Sequence, residues 1–153
     1  MILLGIESSS RKLSVGLMKD KIFSELSSEK INDTANSLPI LSKQIINKAL
    51  LSFEDLDAIC ISAGPGSFTG LRIGMSYAKG IALALNIPIV PISTFDSLAH
   101  DNTVKKLSVL IYSHGNTFYI CEYNFDNGKL SKSTDPKVIL KENVLKLSHN
   151  IVF

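Results

Sequence analysis

The stretch AGPGSFTGLRIG, residues 63–74, holds the residue types most able to bind a ligand. Three glycines and a proline fall within its first eight residues. The apolar run DAICISAG precedes it and the run LRIGMSYAKGIALAL follows it, which predicts a strand, a tight loop and a helix. Backbone N–H groups at a helix N-terminus can bind a phosphate. Capping of that helix end by Ser67 or Thr69 is the simpler interpretation, and we favour it.

Neither of two common phosphate-binding motifs fits this loop. A Walker loop has the pattern Gly-x4-Gly-Lys-Ser/Thr, whereas Gly64 and Gly70 are too far apart and no Lys-Ser/Thr pair follows. A dinucleotide-binding loop has Gly-x-Gly-x-x-Gly, and Gly70 lies one position late for it. The loop is therefore expected to shape the chain, with Gly64 and Gly66 turning it sharply and Pro65 stiffening the turn.

The helix after the loop has small residues at every fourth position, which places them on one face. They are Gly70, Gly74, Ala78 and Ala82. Such a stripe lets another helix approach closely, and glycine inside a soluble helix otherwise costs about 0.5–1 kcal/mol relative to alanine. We expect the stripe to form a partner interface with Leu38, Leu41 and Ile45 of the preceding helix. Packing of the stripe on this chain's own sheet is the alternative.

The order of the predicted elements indicates an α/β protein with two lobes. In the first lobe the predicted strands span 2–6, 13–18, 21–26, 56–62 and 86–93, and the helices span 37–51, 68–85 and 94–100. In the second lobe the strands span 107–113, 117–125, a segment after the turn Asn127-Gly128, and 150–153, with a helix at 141–147. The polar stretch 101–106 is the expected boundary, which gives lobes of residues 1–103 and 104–153. Both lobes begin with three strands, so we expect a duplicated architecture whose second copy stops early.

Two helix starts are ambiguous in the sequence. Ser37 as N-cap places Pro39 in the first turn of the first helix, where proline is tolerated. Asp33 or Thr34 as the cap instead gives a longer helix with Pro39 inside it. Thr94 is the expected cap of the third helix.

Composition narrows the classes of function. The chain has 153 residues, 45% of them hydrophobic, and a formal net charge of +2, which is too balanced to indicate nucleic-acid binding by charge alone. Cys60 and Cys121 are expected to be buried thiols in a reducing compartment. The three histidines lack the spacing of a zinc site, so no metal is expected. The start MILLGIESSS is a strand rather than a signal peptide, and no apolar run reaches the roughly 18 residues of a membrane span, so we expect a cytoplasmic protein.

The stretch AGPGSFTGLRIG, the start ILLGIESSS and the segment PISTFDSLA resemble the TsaB (YeaZ) family over residues 1–100 and, more loosely, 107–125. The resemblance implies an actin-like, RNase-H-like (ASKHA) fold of two lobes, with the first lobe complete and the second truncated. It implies a non-catalytic assembly subunit that binds and activates a TsaD-like catalytic subunit. The machinery of this family places threonylcarbamoyl on the adenosine beside the tRNA anticodon.

The resemblance also implies partners and cofactors. A TsaE-like ATPase is expected to act through the complex, tRNA is expected to be contacted indirectly, and a homodimer is an alternative state of the free chain. No membrane is expected as a partner. No cofactor is expected for the isolated chain, and ATP or ADP is expected only at the joint with a partner.

The chain departs from the family at positions that matter for nucleotide chemistry. Actin-like ATPases hold magnesium and phosphates with an acid after the first strand of each lobe. Glu7 stands where most TsaB-like proteins have Asp, and Tyr112 stands where the second lobe usually has Asp. A phenol cannot replace a carboxylate on magnesium at neutral pH. Glu7, Ser8 and Ser9 therefore form only a residual phosphate site, and an ATPase or kinase-like enzyme acting alone is the alternative function.

Overall fold

The computed structural model describes residues 1–28, 33–100, 102, 104–126, 129–144, 146–147 and 150–152. The chain forms two compact units, Met1–Ile92 and Ser93–Phe153. This division precedes the polar stretch 101–106 at which we expected the lobes to separate. The reason is that Phe95 and Ala99, in the segment before that stretch, are buried in the hydrophobic core of the second unit.

The first unit begins with a three-stranded antiparallel meander, as the sequence predicts. β1 (Ile2–Glu7) pairs with β2 (Ser14–Lys19), which pairs with β3 (Ile22–Ser27). Asp20 makes the β2–β3 turn with a φ of 56°, which aspartate tolerates better than most residues. Its N–H donates to the Met1 carbonyl across 3.0 Å, so the turn is tied to the start of β1.

The first helix, α1 (Thr34–Lys48), starts at the earlier of the two positions that the sequence left open. Asp33 is the N-cap residue, and its carbonyl accepts from the Ser37 N–H at 3.0 Å. Ser37 is therefore not the cap, and Pro39 lies inside the helix. A 3-10 turn, Phe53–Asp55, which the sequence did not indicate to us, then leads into the next strand.

The remaining elements complete a five-stranded sheet in the first unit. β4 (Ala58–Ser62) runs parallel to β1, and β5 (Ile89–Ile92) runs parallel to β4. Between them lies α2 (Phe68–Leu85), whose bounds agree with the predicted helix. The strand order is β3-β2-β1-β4-β5, and α1 and α2 contact each other as well as strands of this sheet. The core between helices and sheet includes Leu4, Ile6, Val15, Ile59 and Ile61, which alternate along their strands.

The second unit begins with α3 (Thr94–His100), in which Thr94 is the first helical residue rather than the expected cap. The strands that follow are β6 (Lys106–Tyr112), β7 (Thr117–Asp126), β8 (Lys129–Lys132), β9 (Lys137–Leu140) and β10 (Asn150–Val152), with α4 (Lys141–Val144) before the last. The sequence did not indicate β9, which pairs with β7. The predicted Asn127-Gly128 turn lies outside the described residues.

The two sheets share a plan. β6, β7 and β8 form an antiparallel series, and β10 pairs with β6 in parallel, as β4 does with β1. Glu7 is the last residue of β1 and Tyr112 is the last residue of β6, so the two occupy equivalent places. Among the described residues, no helix is both long enough and apolar enough to cross a membrane.

Candidate functional site

The small-residue stripe of α2 faces this chain's own sheet. Gly70, Gly74, Ala78 and Ala82 are the buried residues of the helix. An ideal Cβ at Gly70 would lie 2.1 Å from the Ser8 carbonyl oxygen, and one at Gly74 would lie 2.2 Å from Ser8 Oγ. A Cβ this close to another atom forces a shift: at Gly70 the obstacle is the backbone of Ser8, and at Gly74 it is the Ser8 side chain, so the two glycines let the helix lie closely against the end of β1. The expectation that this stripe contacts a partner is therefore wrong, and the alternative of packing on the sheet is correct.

The residues expected to join the stripe from α1 are also internal. Leu38 and Ile45 are 0% and 1% exposed, and Leu41 is partly buried against the same core. A partner cannot reach the first two without unfolding the unit. The apolar spacing that suggested an interface is the ordinary inward face of an amphipathic helix.

The glycine loop packs against the turn that follows β1. Gly64 has a φ of 95°, which favours glycine, and the Gly64–Pro65 peptide bond is cis. An ideal Cβ at Gly66 would lie 2.4 Å from the carbonyl oxygen of Ser9. The same carbonyl accepts from the Ser67 N–H at 2.6 Å. The loop therefore turns the chain sharply, as expected, and docks on residues of the β1–β2 turn.

Ser67 is the cap of α2. Its Oγ accepts from the Gly70 N–H at 3.2 Å, whereas Thr69 lies inside the helix. Of the two caps that the sequence allowed, the structure selects the first. The cap occupies the Gly70 N–H, one of the N–H groups that an anion at this helix end would otherwise use.

The residues proposed as a residual phosphate site use three of their donors within the chain, and the fourth, the Ser8 hydroxyl, is completely buried. The Ser8 N–H donates to Ser62 Oγ at 3.1 Å, and the Ser9 N–H donates to Glu7 Oε1 at 2.6 Å. The Ser9 hydroxyl donates to the same Glu7 oxygen. Because these donors are occupied and Glu7 brings a negative charge, the arrangement does not favour a phosphate at Glu7, Ser8 and Ser9.

The opposite face of α2 is open and has a regular spacing. Its residues follow each other at intervals of three and four, which is the spacing of a helix-packing seam. They are Thr69, Arg72, Ser76, Lys79 and Leu83, and all five are exposed. We call these residues, with the adjacent Phe68 and Gly80, the outer α2 face. This pattern is also visible in the sequence, but the glycine–alanine stripe on the other face is more regular, and the predicted interface was therefore placed there.

Two large apolar side chains project from the outer α2 face. Phe68 is 73% exposed and Leu83 is 86% exposed. The Arg72 guanidinium lies over the Phe68 ring at 5.0 Å from its centroid, so the pair forms a cation–π contact at the start of the helix. Among the residues that the structure describes, nothing lies within 4 Å of an ideal Cβ at Gly80. No contact within that part of the chain explains a glycine there, and a close approach by another surface would.

An open groove runs beside this face, with a volume of about 420 Å³. It lies between the end of β4 and the first half of α2, and Leu71 and Met75 contribute apolar walls while Arg72 and Lys79 contribute charge. The rest of the lining comes from Ser62, Ala63, Phe68 and Ser76. The groove thus extends the outer α2 face toward the glycine loop.

The second unit holds a polar cluster with a structural role. The Tyr123 hydroxyl donates to Asp96 Oδ1 at 2.5 Å, and Lys132 Nζ lies 3.0 Å from the same oxygen. Burial and the hydrogen bond to Asp96 raise the pKa of Tyr123 above its ordinary value. The cluster joins α3 to β7 and β8. Within the described part of the chain, no group of three or more His, Cys, Asp or Glu side chains is placed to hold a metal.

The family model of TsaD, tRNA N6-adenosine threonylcarbamoyltransferase, matches residues 27–151. The chain is 31% identical to the tRNA threonylcarbamoyladenosine biosynthesis protein TsaB of Buchnera aphidicola from Acyrthosiphon pisum, over 95% of this chain and 70% of that protein. It is 37% identical to the TsaB of Buchnera aphidicola from Schizaphis graminum, over 72% of this chain and 53% of that protein.

Among solved structures, YeaZ from Pseudomonas aeruginosa superposes with a TM-score of 0.81 at 23% identity, over 92% of this chain and 68% of that one. That likeness confirms the actin-like fold predicted from the sequence. The chain spans between about 53% and 70% of the length of these curated relatives. The matches over most of the chain, to the TsaD family model and to a curated TsaB, show that the chain belongs to the TsaB (YeaZ) family.

Proposed function

We propose that this chain is a non-catalytic assembly subunit in the formation of threonylcarbamoyladenosine on tRNA. It acts by binding and activating a TsaD-like catalytic subunit, which transfers threonylcarbamoyl to the adenosine beside the anticodon. A TsaE-like ATPase joins through the complex, and tRNA is contacted indirectly. ATP or ADP, where it takes part, binds at the joint between this chain and its partner. The curated names of the TsaB relatives support the tRNA modification.

The observation that carries the proposal is the outer α2 face. Phe68 and Leu83 are exposed on it, and Gly80 leaves room for a close approach. The inward stripe of the same helix is fully used within the chain, so α2 is a helix with a packed face and an unpacked one. Exposed aromatic and aliphatic side chains around a small residue favour contact with another protein surface. We assign the TsaD-like contact to this face.

The alternative, an actin-like ATPase acting alone, finds less support in the site. Its second acid would belong at the end of β6, where Tyr112 stands. In the first unit, the Glu7 carboxylate accepts two hydrogen bonds from Ser9. A carboxylate held by its own turn is poorly placed to organise magnesium and phosphates.

Reconstitution with the TsaD-like subunit of the same genome tests the proposal. The subunit, a TsaE-like ATPase, a threonylcarbamoyl donor and tRNA are incubated with and without this chain, and threonylcarbamoyladenosine is measured by mass spectrometry of the digested tRNA. We expect the chain to form a complex with the TsaD-like subunit in light scattering and to raise product formation at least about tenfold. Unchanged product in the presence of the chain overturns the proposal.

A pair of variants locates the contact. Leu83→Asp places a charge at the C-terminal end of the outer α2 face, and we expect it to prevent complex formation while the chain stays folded, because Leu83 is 86% exposed. Ile22→Asp is the matched control, since Ile22 is also exposed but lies on β3. Loss of the complex in the control, or normal binding by Leu83→Asp, excludes the outer α2 face as the contact.

A further inference from the structure

All the charged side chains within α1 and α2, the two helices that cover the sheet of the first unit, are positive. α1 contributes Lys43 and Lys48, and α2 contributes Arg72 and Lys79. Neither helix contains an aspartate or glutamate between its first and last residue. All four cations are exposed. Formal charge over the whole chain is nearly balanced, whereas these two helices hold four of the 16 basic residues and no acidic one; Asp33, the N-cap residue of α1, lies just before the first helix.

None of these cations has an acidic partner within the described parts of the chain. The salt bridges there join Met1 to Asp20 and Asp57, and Lys132 to Asp96. Arg72 instead lies over the Phe68 ring. With no acidic partner among the described residues, these cations can pair with carboxylates supplied from outside.

We propose that this cationic layer selects a partner whose contacting surface is acidic and disfavours pairing with a second copy of this chain. The proposal rests on the proposed function, because the acidic surface is assigned to the protein that binds the outer α2 face. Two copies meeting through these helices would bring eight positive charges into one interface, with no carboxylate from within either helix. Like charges placed against each other suppress the wrong partner, while opposite charges steer and retain the right one.

An acidic protein surface fits this layer better than a nucleic acid does. Ile40 on α1, 56% exposed, and Leu83 on α2 offer aliphatic contacts that a phosphate backbone does not use. Gly80 offers a close approach in the middle of the exposed helix, where another helix or strand can lie. Four cations spread over two helices also form a sparse pattern for following a strand of phosphates.

Charge reversal with the TsaD-like subunit tests the choice of partner. We expect Arg72→Glu/Lys79→Glu to weaken binding at least about tenfold, and an increase in NaCl from about 0.1 M to about 0.5 M to weaken wild-type binding several-fold. Lys21→Glu, at the β2–β3 turn, is the control and is expected to bind as the wild type does. If the affinity for the TsaD-like subunit changes neither with salt nor with charge reversal, the inference is overturned, whereas the proposed function is not affected.

Self-association supplies a measurement that needs no partner. By sedimentation, we expect the wild type to dimerise more weakly at about 0.05 M than at about 0.5 M NaCl. Neutralising the layer with Lys43→Gln, Lys48→Gln, Arg72→Gln and Lys79→Gln is expected to strengthen dimerisation at low salt. Equal or tighter wild-type dimerisation at low salt overturns the inference.

The outcomes separate the two proposals. Failure of the wild type to bind the TsaD-like subunit overturns the proposed function, and the self-association measurement then decides the inference by itself. Tight, salt-sensitive tRNA binding by the free chain that Arg72→Glu/Lys79→Glu abolishes would show that the layer serves a nucleic acid, which also overturns the inference.

Discussion

The Ser8 hydroxyl fills the space that a side chain at Gly74 would need. An ideal Cβ at Gly74 would lie 2.2 Å from Ser8 Oγ, 3.1 Å from Ser8 Cβ and 3.2 Å from Ile61 Cδ1. Ser8 is completely buried, and its Oγ has no hydrogen-bond partner among the described residues. The serine after β1 and the glycine of α2 therefore fit each other by shape, and this fit determines how closely the helix approaches the sheet.

Gly74→Ala should destabilise the chain. The added methyl group must displace Ser8 or lift α2 from β4, and overpacking of this kind costs about 1–3 kcal/mol. Urea unfolding followed by circular dichroism measures the loss. Gly80→Ala is the matched control: because a Cβ there meets nothing within 4 Å, it should stabilise the helix by about 0.5–1 kcal/mol. Equal effects at the two positions would contradict the orientation of α2.

Ser8→Ala should reduce the cost of Gly74→Ala. The change removes the oxygen nearest to the new methyl group and also removes a buried, unpaired hydroxyl. We expect the double variant to be more stable than the sum of the two single changes, with a coupling energy of at least about 0.5 kcal/mol. A double-mutant cycle from urea unfolding measures it, and strict additivity would show that Ser8 is not what Gly74 accommodates.

Ser67→Ala should cost about 0.5–2 kcal/mol of unfolding free energy, because the Gly70 N–H loses its acceptor at the start of α2. Thr69→Ala is the control, since Thr69 is an exposed residue of the helix and not its cap. Thermal unfolding and amide exchange at Gly70 report the effect. A larger loss of stability in the Thr69 variant would show that Thr69, and not Ser67, caps the helix.

Tyr123→Phe should destabilise the second unit at neutral pH, and the loss of stability relative to wild type should be smaller at alkaline pH. The hydroxyl donates to Asp96, and a hydrogen bond to a charged group contributes about 1.5–3 kcal/mol. Folding raises the pKa of Tyr123 above the value near 10 that tyrosine has in an unfolded chain. The hydroxyl therefore contributes its full share to the free energy of unfolding below that pH, and this contribution falls as the pH rises above it. Urea unfolding at pH 8 and pH 10.5 should therefore show a smaller difference from wild type at the higher pH. Tyr112→Phe, at an exposed site, controls for loss of a tyrosine.

Both cysteines should react slowly with iodoacetamide in the folded chain. Cys121 is buried as expected, whereas Cys60 is only partly buried. Burial raises the pKa of both thiols, so the reactive thiolate forms less readily than in an unfolded chain. The Cys121 thiol also donates to the Thr134 carbonyl at 3.4 Å. Mass spectrometry after timed labelling at pH 8 should show rapid alkylation only in urea. Fast labelling of Cys121 without urea would contradict its burial.

Several elements of the fold, and the family of the protein, can be predicted from short stretches of the sequence. The bounds of α2 follow from a strand, a glycine-rich turn and a run of helix-forming residues, although the sequence left its cap open between Ser67 and Thr69. The meander β1–β3 and the strand β4 follow from short apolar runs separated by turns. The motif AGPGSFTGLRIG also indicated the family to which the chain belongs. These features depend on residues close together in the chain, so the sequence is sufficient to predict them.

The direction in which α2 faces was decided by tertiary structure. Its sequence has two regular faces, the stripe from Gly70 to Ala82 and the outer α2 face from Thr69 to Leu83. Helical periodicity assigns residues to faces but does not say which face meets the sheet. The buried turn at Ser8 and the side chain of Ile61, both distant in sequence, make the glycine stripe the only face that fits. The surface left for a partner is consequently the one with Phe68, Gly80 and Leu83.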